Sequence, residues 1–275
     1  MKPASFDYVR AASIRDVLSV LHAEGEQARI LAGGQSLVPM LSMRLARPAV
    51  LVDITHVGEL DRIVIEGGRI TIGAAVTQAA LLRDGRVSAA CPLLAEALPW
   101  VGHAQTRSRG TVCGSIAHAD PSAELPLCLA ALGGEVHLAS RRGRRTVAAG
   151  DFFIGMMTTD RADDEFIEAV SFPIAARGAG HGFREFGRRH GDFAIAAVAA
   201  VVSRDAIVVT VGGVDDVPAR RTWPRTEGTD LDSALDGLAW ELDARDDIHA
   251  SARLRRDLVR SLGRDAIMEA TRCSA

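Results

Sequence analysis

Ala32-Gly33-Gly34-Gln35-Ser36 stands between the apolar run Ala28-Arg29-Ile30-Leu31 and a segment of helical character that opens at Leu37. This reads as a short buried strand that ends in two glycines before the chain turns. With no Cβ at 33 and 34, the backbone reaches positive φ and a ligand can approach its N–H groups closely. Successive N–H groups in such a turn, beside a helix start, form a site for an anion such as a pyrophosphate. A tight strand-to-helix turn without any ligand carries the same pattern, so this stretch alone leaves binding open.

Upstream, Ser13 before Ile14, Val17, Leu18 and Leu21 combines an N-cap with helical spacing, giving a small strand–helix–strand opening. Downstream, Arg47-Pro48 predicts the end of the helix begun at Leu37, and residues 50–54 predict a buried strand. Residues 61–73 read as a hairpin turning at Gly67-Gly68. Thr77 caps a short helix, and residues 92–101, rich in Leu and Ala, form another. Asp120-Pro121 reads as the N-cap and first turn of a helix running through Leu132, which Gly133-Gly134 ends. Strands near 135–139 and 165–172 close this region, and residues 173–180 are the best domain boundary. Beyond it come strands at about 182–188, 194–203 and 206–213, a polar crossing, and helices near 230–243 and 251–270. Strands followed by helices indicate an α+β second domain. Residues 193–202 are apolar throughout, which predicts a strand covered on both faces.

The 275 residues suffice for two domains, and 48% hydrophobic with 24% charged residues is ordinary for a globular protein. A formal charge of −3 leaves no basic footprint for nucleic acid. The longest apolar run, residues 193–202, is about half of what a membrane span needs. Residues 1–6 hold no apolar stretch of the signal-peptide kind, so a cytoplasmic location is expected. Cys91, Cys113, Cys128 and Cys273 contain no close pair, which fits neither zinc, nor an iron–sulfur centre, nor a disulfide framework. Each reads as a buried small hydrophobe. Lys2 is the only lysine, which excludes a lysine Schiff base in the core and a Walker-type phosphate lysine.

Residues 106–121 form the second informative stretch, full of glycines, hydroxyls and arginines with few large apolar side chains. Two such glycine and hydroxyl loops, about eighty residues apart, have the means to grip one extended dinucleotide from two sides. Gln35, Ser36, Thr111 and Ser115 supply side-chain hydrogen bonds beside the backbone donors. The spaced glycines and following acid of a Rossmann fingerprint are missing, which argues against NAD in a doubly wound sheet. His103 and His118 have no nucleophile elbow or cysteine partner and read as hydrogen-bonded loop histidines. The residues by themselves describe a two-domain binder of an anionic dinucleotide and name no reaction.

Both stretches resemble the two FAD motifs of the flavin-binding medium subunits of molybdenum hydroxylases, the carbon monoxide dehydrogenase and xanthine dehydrogenase group. The second motif is Thr111-Val112-Cys113-Gly114-Ser115 with Ala117-His118-Ala119-Asp120-Pro121. The likeness extends to Leu45-Ala46-Arg47-Pro48, Asp151-Phe152-Phe153, Arg188-Arg189-His190-Gly191-Asp192-Phe193 and Asp247-Ile248-His249-Ala250-Ser251-Ala252. It implies an α+β, vanillyl-alcohol-oxidase-like (PCMH-type) FAD-binding domain over residues 1–176, with two subdomains split near 55. A carbon monoxide dehydrogenase flavoprotein C-terminal α+β domain over 177–275 follows. The implied FAD-binding residues are Ala32, Gly33, Gly34, Gln35, Ser36, Leu37, Thr111, Gly114, Ser115, Glu124, Ile167 and Arg184. Arg184 matches a flavin-contacting lysine of xanthine dehydrogenases, and no metal ligand or catalytic acid–base residue is implied. Cys113 departs from a usual glycine, Phe183 from a frequent tyrosine, and Glu185 from a frequent lysine.

The resemblance further implies an electron-transfer subunit within a larger complex. A large subunit carries the molybdenum cofactor, a small one carries two 2Fe–2S clusters, and the assembly is a dimer of heterotrimers. FAD on this chain passes electrons to NAD⁺, oxygen or another small acceptor. Two other readings stay open at this point. One is a self-sufficient flavin reductase or oxidase of the same superfold, and the other is an assembly subunit that has lost FAD.

Overall fold

The computed structural model describes residues 2–274; Met1 and Ala275, the ends of the two expected domains, lie outside the described residues. The chain opens with β1 (Asp7–Arg10), α1 (Ile14–Glu24), β2 (Ala28–Leu31), α2 (Leu37–Ser42) and β3 (Val50–Asp53). The three strands lie in the order β1-β3-β2 and all pair in parallel. Ser13 begins α1 as expected. Its hydroxyl accepts from the Asp16 N–H at 3.2 Å, and the Asp16 carboxylate accepts from the Ser13 N–H at 3.0 Å. Such reciprocal capping is worth about 1 kcal/mol. Val17 and Leu21, on the inner face of α1, are buried. Helix α2 stops before Arg47-Pro48, because Arg44 takes φ +59° and turns the chain out of the helix first.

Next come β4 (Ile63–Glu66) and β5 (Arg69–Gly73), then α3 (Gln78–Arg83), α4 (Gly85–Ala90), α5 (Pro92–Ala97), α6 (Ala104–Arg109), α7 (Val112–His118) and α8 (Glu124–Leu132). They are followed by β6 (Glu135–Ser140), β7 (Gly143–Ala148), α9 (Ala149–Phe152), β8 (Phe153–Gly155), β9 (Thr158–Thr159) and β10 (Phe166–Pro173). The expected hairpin forms, with positive φ at both Gly67 and Gly68. Five strands make an antiparallel sheet in the order β4-β5-β10-β6-β7. β10 sits in its middle and ties β5 to β6 across more than sixty residues of sequence. β7 escaped the sequence pattern because it is an exposed edge strand with arginines where apolar residues would alternate. Arg144 and Arg145 reach instead to Glu168 at 2.6 Å and Glu165 at 2.8 Å.

The reading of Asp120-Pro121 is corrected. α8 starts at Glu124 with Ala123 as N-cap, and Asp120 Oδ1 accepts from the Ser122 N–H at 2.9 Å in a turn ahead of the helix. Gly133, at φ +63°, ends α8 where expected. The reading of residues 111–118 as a loop is also corrected, since they start and form α7.

β11 (Gly180–Phe186), β12 (Ala196–Val202), β13 (Ala206–Gly212) and β14 (Ala219–Pro224) form an antiparallel meander, followed by α10 (Gly228–Glu241) and α11 (Ala252–Cys273). The polar crossing is β14, a mostly exposed edge strand whose arginines hide its pattern. Phe193 precedes the strand and is 63% exposed, so the apolar run enters the sheet only at Ala196. Within β12 both faces are covered. Ala197 and Ala199 belong to the core of the first half, while Ala196, Val198, Ala200 and Val202 belong to the core under α11. A Cβ on Gly180 or Gly182 would collide with the Ala270 or Ala266 carbonyl, so α11 rests on the bare backbone of β11. α8 is buried all round, between the five-stranded sheet and the meander. Cys91, Cys113 and Cys128 are buried as expected, whereas Cys273 at the end of α11 is exposed. Among the described residues no helix is long and apolar enough to cross a membrane.

Candidate cofactor-binding site

The turn after β2 packs directly on the junction of α6 and α7. A Cβ on Gly33 would run into the Arg109 carbonyl and come within 2.6 Å of Gly110 Cα, so only glycine lets the two motifs touch. Gly34 follows at φ +70°, in the left-handed region. The N–H groups of Gly33, Gly34, Gln35 and Ser36 donate to no backbone or side-chain acceptor among the described residues, and the Gln35 amide folds back to the Gly33 carbonyl at 3.1 Å. On the second motif, Thr111 caps α7, its Oγ1 accepting from the Gly114 N–H at 3.0 Å. A Cβ on Gly114 would lie 2.7 Å from that oxygen, which explains glycine at this position.

The two motifs wall a cavity of about 870 Å³. Ala32, Gly33, Gly34, Gln35, Ser36, Leu37, Thr111, Gly114, Ser115, Glu124 and Ile167 all line it. Arg184 does not, which corrects its expected place. Along β11 the side chains of 180, 182 and 184 face α11, and the Arg184 guanidinium pairs with Glu269 of that helix and donates to the Phe183 carbonyl at 2.8 Å. Phe183, on the opposite face, packs against Trp100 with ring centroids 6.5 Å apart.

Several lining residues escaped the sequence reading. Gln78 follows the Thr77 cap and is buried, and its Nε2 donates to the Thr111 carbonyl at 3.4 Å. Nothing in a lone glutamine at a helix start signals that role. Arg29 and Arg161 also line the cavity, as do Gly191, Asp192 and Phe193 from the loop between β11 and β12. A signal for Arg29 was present, because an arginine inside an apolar strand needs a polar outlet. Arg255 of α11 fixes the root of that loop, donating to the Ile195 and Gly213 carbonyls, both at 2.6 Å, and pairing with Asp247.

Glu124 on the cavity wall, and Glu185 and Glu96 outside it, are shifted toward their protonated forms. Burial pushes Glu124 up to about 7, with Asp120 adding to the shift and Arg107 opposing it. Burial and then the neighbouring Glu124 push Glu185 up to about 8. Burial, followed by Glu269, pushes Glu96 up to about 7. The Cys113 thiol is also raised by burial, and its Sγ lies 3.5 Å from the Ile72 carbonyl, so the core accepts its Cβ as a small hydrophobe. The histidine reading is corrected. His103 caps α6 by backbone alone, His118 ends α7 and faces the cavity, and neither ring has a hydrogen-bond partner among the described residues. No cluster of metal-ligating side chains occurs among the described residues.

The wall combines a row of free amide donors, small hydroxyls and two guanidiniums with further polar groups, among them Asp120, Glu124, Glu165 and Asp192, and with apolar side chains. It fits an elongated anionic cofactor. Residues 4–175 match the FAD binding domain in molybdopterin dehydrogenase. The chain is 39% identical to the nicotine 6-hydroxylase medium subunit of Paenarthrobacter nicotinovorans, over 98% of this chain and 99% of that one. Its fold superposes on quinoline 2-oxidoreductase from Pseudomonas putida 86 with a TM-score of 0.94 at 35% identity, covering 100% of this chain and 99% of the other. On carbon monoxide dehydrogenase from Hydrogenophaga pseudoflava the TM-score is 0.96 at 30% identity, with both chains covered completely. The architecture is therefore the α+β, PCMH-type FAD-binding fold with the C-terminal α+β domain of the carbon monoxide dehydrogenase flavoproteins. The chain belongs to the FAD-binding medium subunits of the molybdenum hydroxylases, the carbon monoxide dehydrogenase and xanthine dehydrogenase family, and is an oxidoreductase subunit.

Proposed function

We propose that this chain is the electron-transfer subunit of a cytoplasmic molybdenum hydroxylase, organised as residues 1–176, split near 55, and 177–275. It takes electrons from 2Fe–2S clusters on a small partner subunit and hands them to NAD⁺, oxygen or another small acceptor. A large partner subunit with the molybdenum cofactor oxidises the organic substrate, and the complex is a dimer of heterotrimers. The observation that carries this reading is the single cavity walled by both glycine motifs, with unpaired amides at Gly33, Gly34, Gln35 and Ser36.

When bound, FAD supplies the redox chemistry, exchanging electrons singly or in pairs. Ala32, Gly33, Gly34, Gln35, Ser36 and Leu37 hold it from one side, and Thr111, Gly114 and Ser115 from the other. Ile167 offers an apolar contact and Glu124 a carboxyl group. Donors fixed in place before binding need no reorganisation when the charge arrives. Arg184 is engaged with Glu269 and stands outside the cavity wall.

The test is the visible spectrum of the purified chain, with the cofactor released by acid and identified, together with co-purification from its native host. About one equivalent of FAD, and partners bearing iron, sulfide and molybdenum, are expected. A colourless chain that takes up no added FAD would refute the reading, and a flavoprotein that purifies alone and turns over an organic substrate would replace it with a self-sufficient enzyme.

A further inference from the structure

Three carboxyls from distant parts of the sequence converge beside one wall of the cavity. Glu124 opens α8, Glu96 lies on α5 and Glu185 on β11, and α5 packs against both α8 and β11. Glu185 shares the face of β11 that carries Phe183, away from α11, and Glu96 meets the Phe183 N–H of the same strand. Cys128, one turn along α8 from Glu124, interacts with all three carboxyls, which gathers them around a single thiol. Glu124 is 5% exposed and stands on the cavity wall itself.

The cations that act on these carboxyls are committed elsewhere. Arg107, which acts on Glu124, donates to the Val101 and Gly102 carbonyls, both at 2.9 Å. Arg184, which acts on Glu96, is paired with Glu269. Glu185 has only the Glu124 carboxyl acting on it, and Asp120 and Glu269 add further negative charge around the other two. β12 and β13, which cover the far side of α8, carry no ionisable side chain. Hydrogen bonds do not fill the gap. Glu96 Oε2 and Glu185 Oε2 are shielded from solvent without a partner among the described residues, and the Glu124 carboxyl has only its own backbone N–H. Charge buried in this way is costly, so it is protons that keep the cluster neutral. Negative charge arriving in the adjoining cavity is poorly screened by water and adds to that cost.

We propose that Glu124, Glu185 and Glu96 form a proton-binding cluster coupled to the cavity, drawing protons from water when the cofactor there is reduced; this rests on the cavity being the FAD site. Two electrons come from the partner's clusters, or from an electrode in the test, and the flavin ring takes its own proton. Each further proton leaves the solvent and forms an O–H bond on a glutamate carboxylate, and no bond in the cofactor breaks for it. Glu269 and Arg184, both partly exposed, lie on the Glu96 side and give the cluster its outlet to water.

The test uses the full chain loaded with FAD, reduced at an electrode in weak buffer, with protons taken up counted by a pH indicator. Between pH 7 and pH 9 the wild type is expected to take up about half a proton more per flavin than Glu185→Gln or Glu96→Gln. At pH 5, where these carboxyls are protonated in both redox states, the counts should coincide. Glu185→Asp keeps an ionisable group and should keep the excess. Each glutamine variant serves if the other does not fold, with thermal unfolding and flavin content as checks. Equal uptake by the wild type and the glutamine variants at every pH would overturn the proposal. So would an excess that persists at pH 5, or a loss in Glu185→Asp as large as in Glu185→Gln, which would assign the effect to packing. A wild-type chain that binds no FAD would instead remove the cofactor site, and this inference with it.

Discussion

Glu124 and Glu185 are, with Glu96, residues through which pH reaches this molecule. Glu124 is buried and Glu185 half-buried, and burial favours the protonated form, so their folded-state pKa values rise to about 7 and about 8 from an ordinary 4.5. Below the ordinary value both folded and unfolded chains are protonated and no penalty arises. As pH climbs through the window up to about 8, the unfolded chain releases protons that the folded chain retains, so stability is lost with rising pH. The melting temperature of the flavin-free chain should therefore fall between pH 5 and pH 8.5. Glu185→Gln removes one of these groups and should flatten that fall; superimposable pH curves for the variant and wild type would contradict it. None of this was legible in the sequence, where Glu185 appears only as an acid in place of a frequent lysine. Its shift comes from burial first and then from Glu124, about sixty residues away in the chain. Gly33, by contrast, was legible as a position where a backbone must come close, although its contact proved to be the α6–α7 junction as well as any ligand.

At the scale of elements, the contact between the β2 turn and the α6–α7 junction decides whether the cavity exists. Gly33→Ala puts a methyl group into the Arg109 carbonyl, and relieving that contact must separate the two motifs. Overpacking of this kind costs about 1–3 kcal/mol, and the variant should lose most of its flavin while keeping its far-ultraviolet circular dichroism. A variant with full flavin content would show that the motifs tolerate separation. Elements with a strong local signature were read correctly from sequence: Ser13 before an amphipathic run, the Gly67-Gly68 turn, and Gly133 at the end of α8. Those that failed share a cause. β7 and β14 are edge strands whose arginines find partners across the sheet or on α10, so no apolar alternation marks them. α7 is rich in small residues that are poor helix formers, and the Thr111 cap and buried Val112 and Ile116 override their propensity.

For the whole molecule, the two halves share structure that neither can lose. α8 is buried on every side between the five-stranded sheet and the meander, and the Gly213 N–H donates to the Pro121 carbonyl at 2.8 Å across the same boundary. A chain ending after residue 176 would bare the side of α8 that β12 and β13 cover, and should aggregate or bind hydrophobic dyes. The full apo chain should unfold in one calorimetric transition whose van't Hoff and calorimetric enthalpies agree. Two resolved transitions, or a well-folded fragment, would show that the halves are independent. The coupling between the halves was hard to see in the sequence. The segment between Pro173 and Gly180 reads as a linker, while the contacts that cross it come from elements more than sixty residues apart.

The two covered faces of β12 give that strand the character of a party wall. Its alanines at 197 and 199 belong to one room and its residues at 198, 200 and 202 to the next, with only a backbone's thickness between them. Packed interiors transmit displacement instead of absorbing it. Pressure applied to α11 by anything that docks there is thus felt, through a single sheet of peptide, by the helix that carries Glu124 into the cavity.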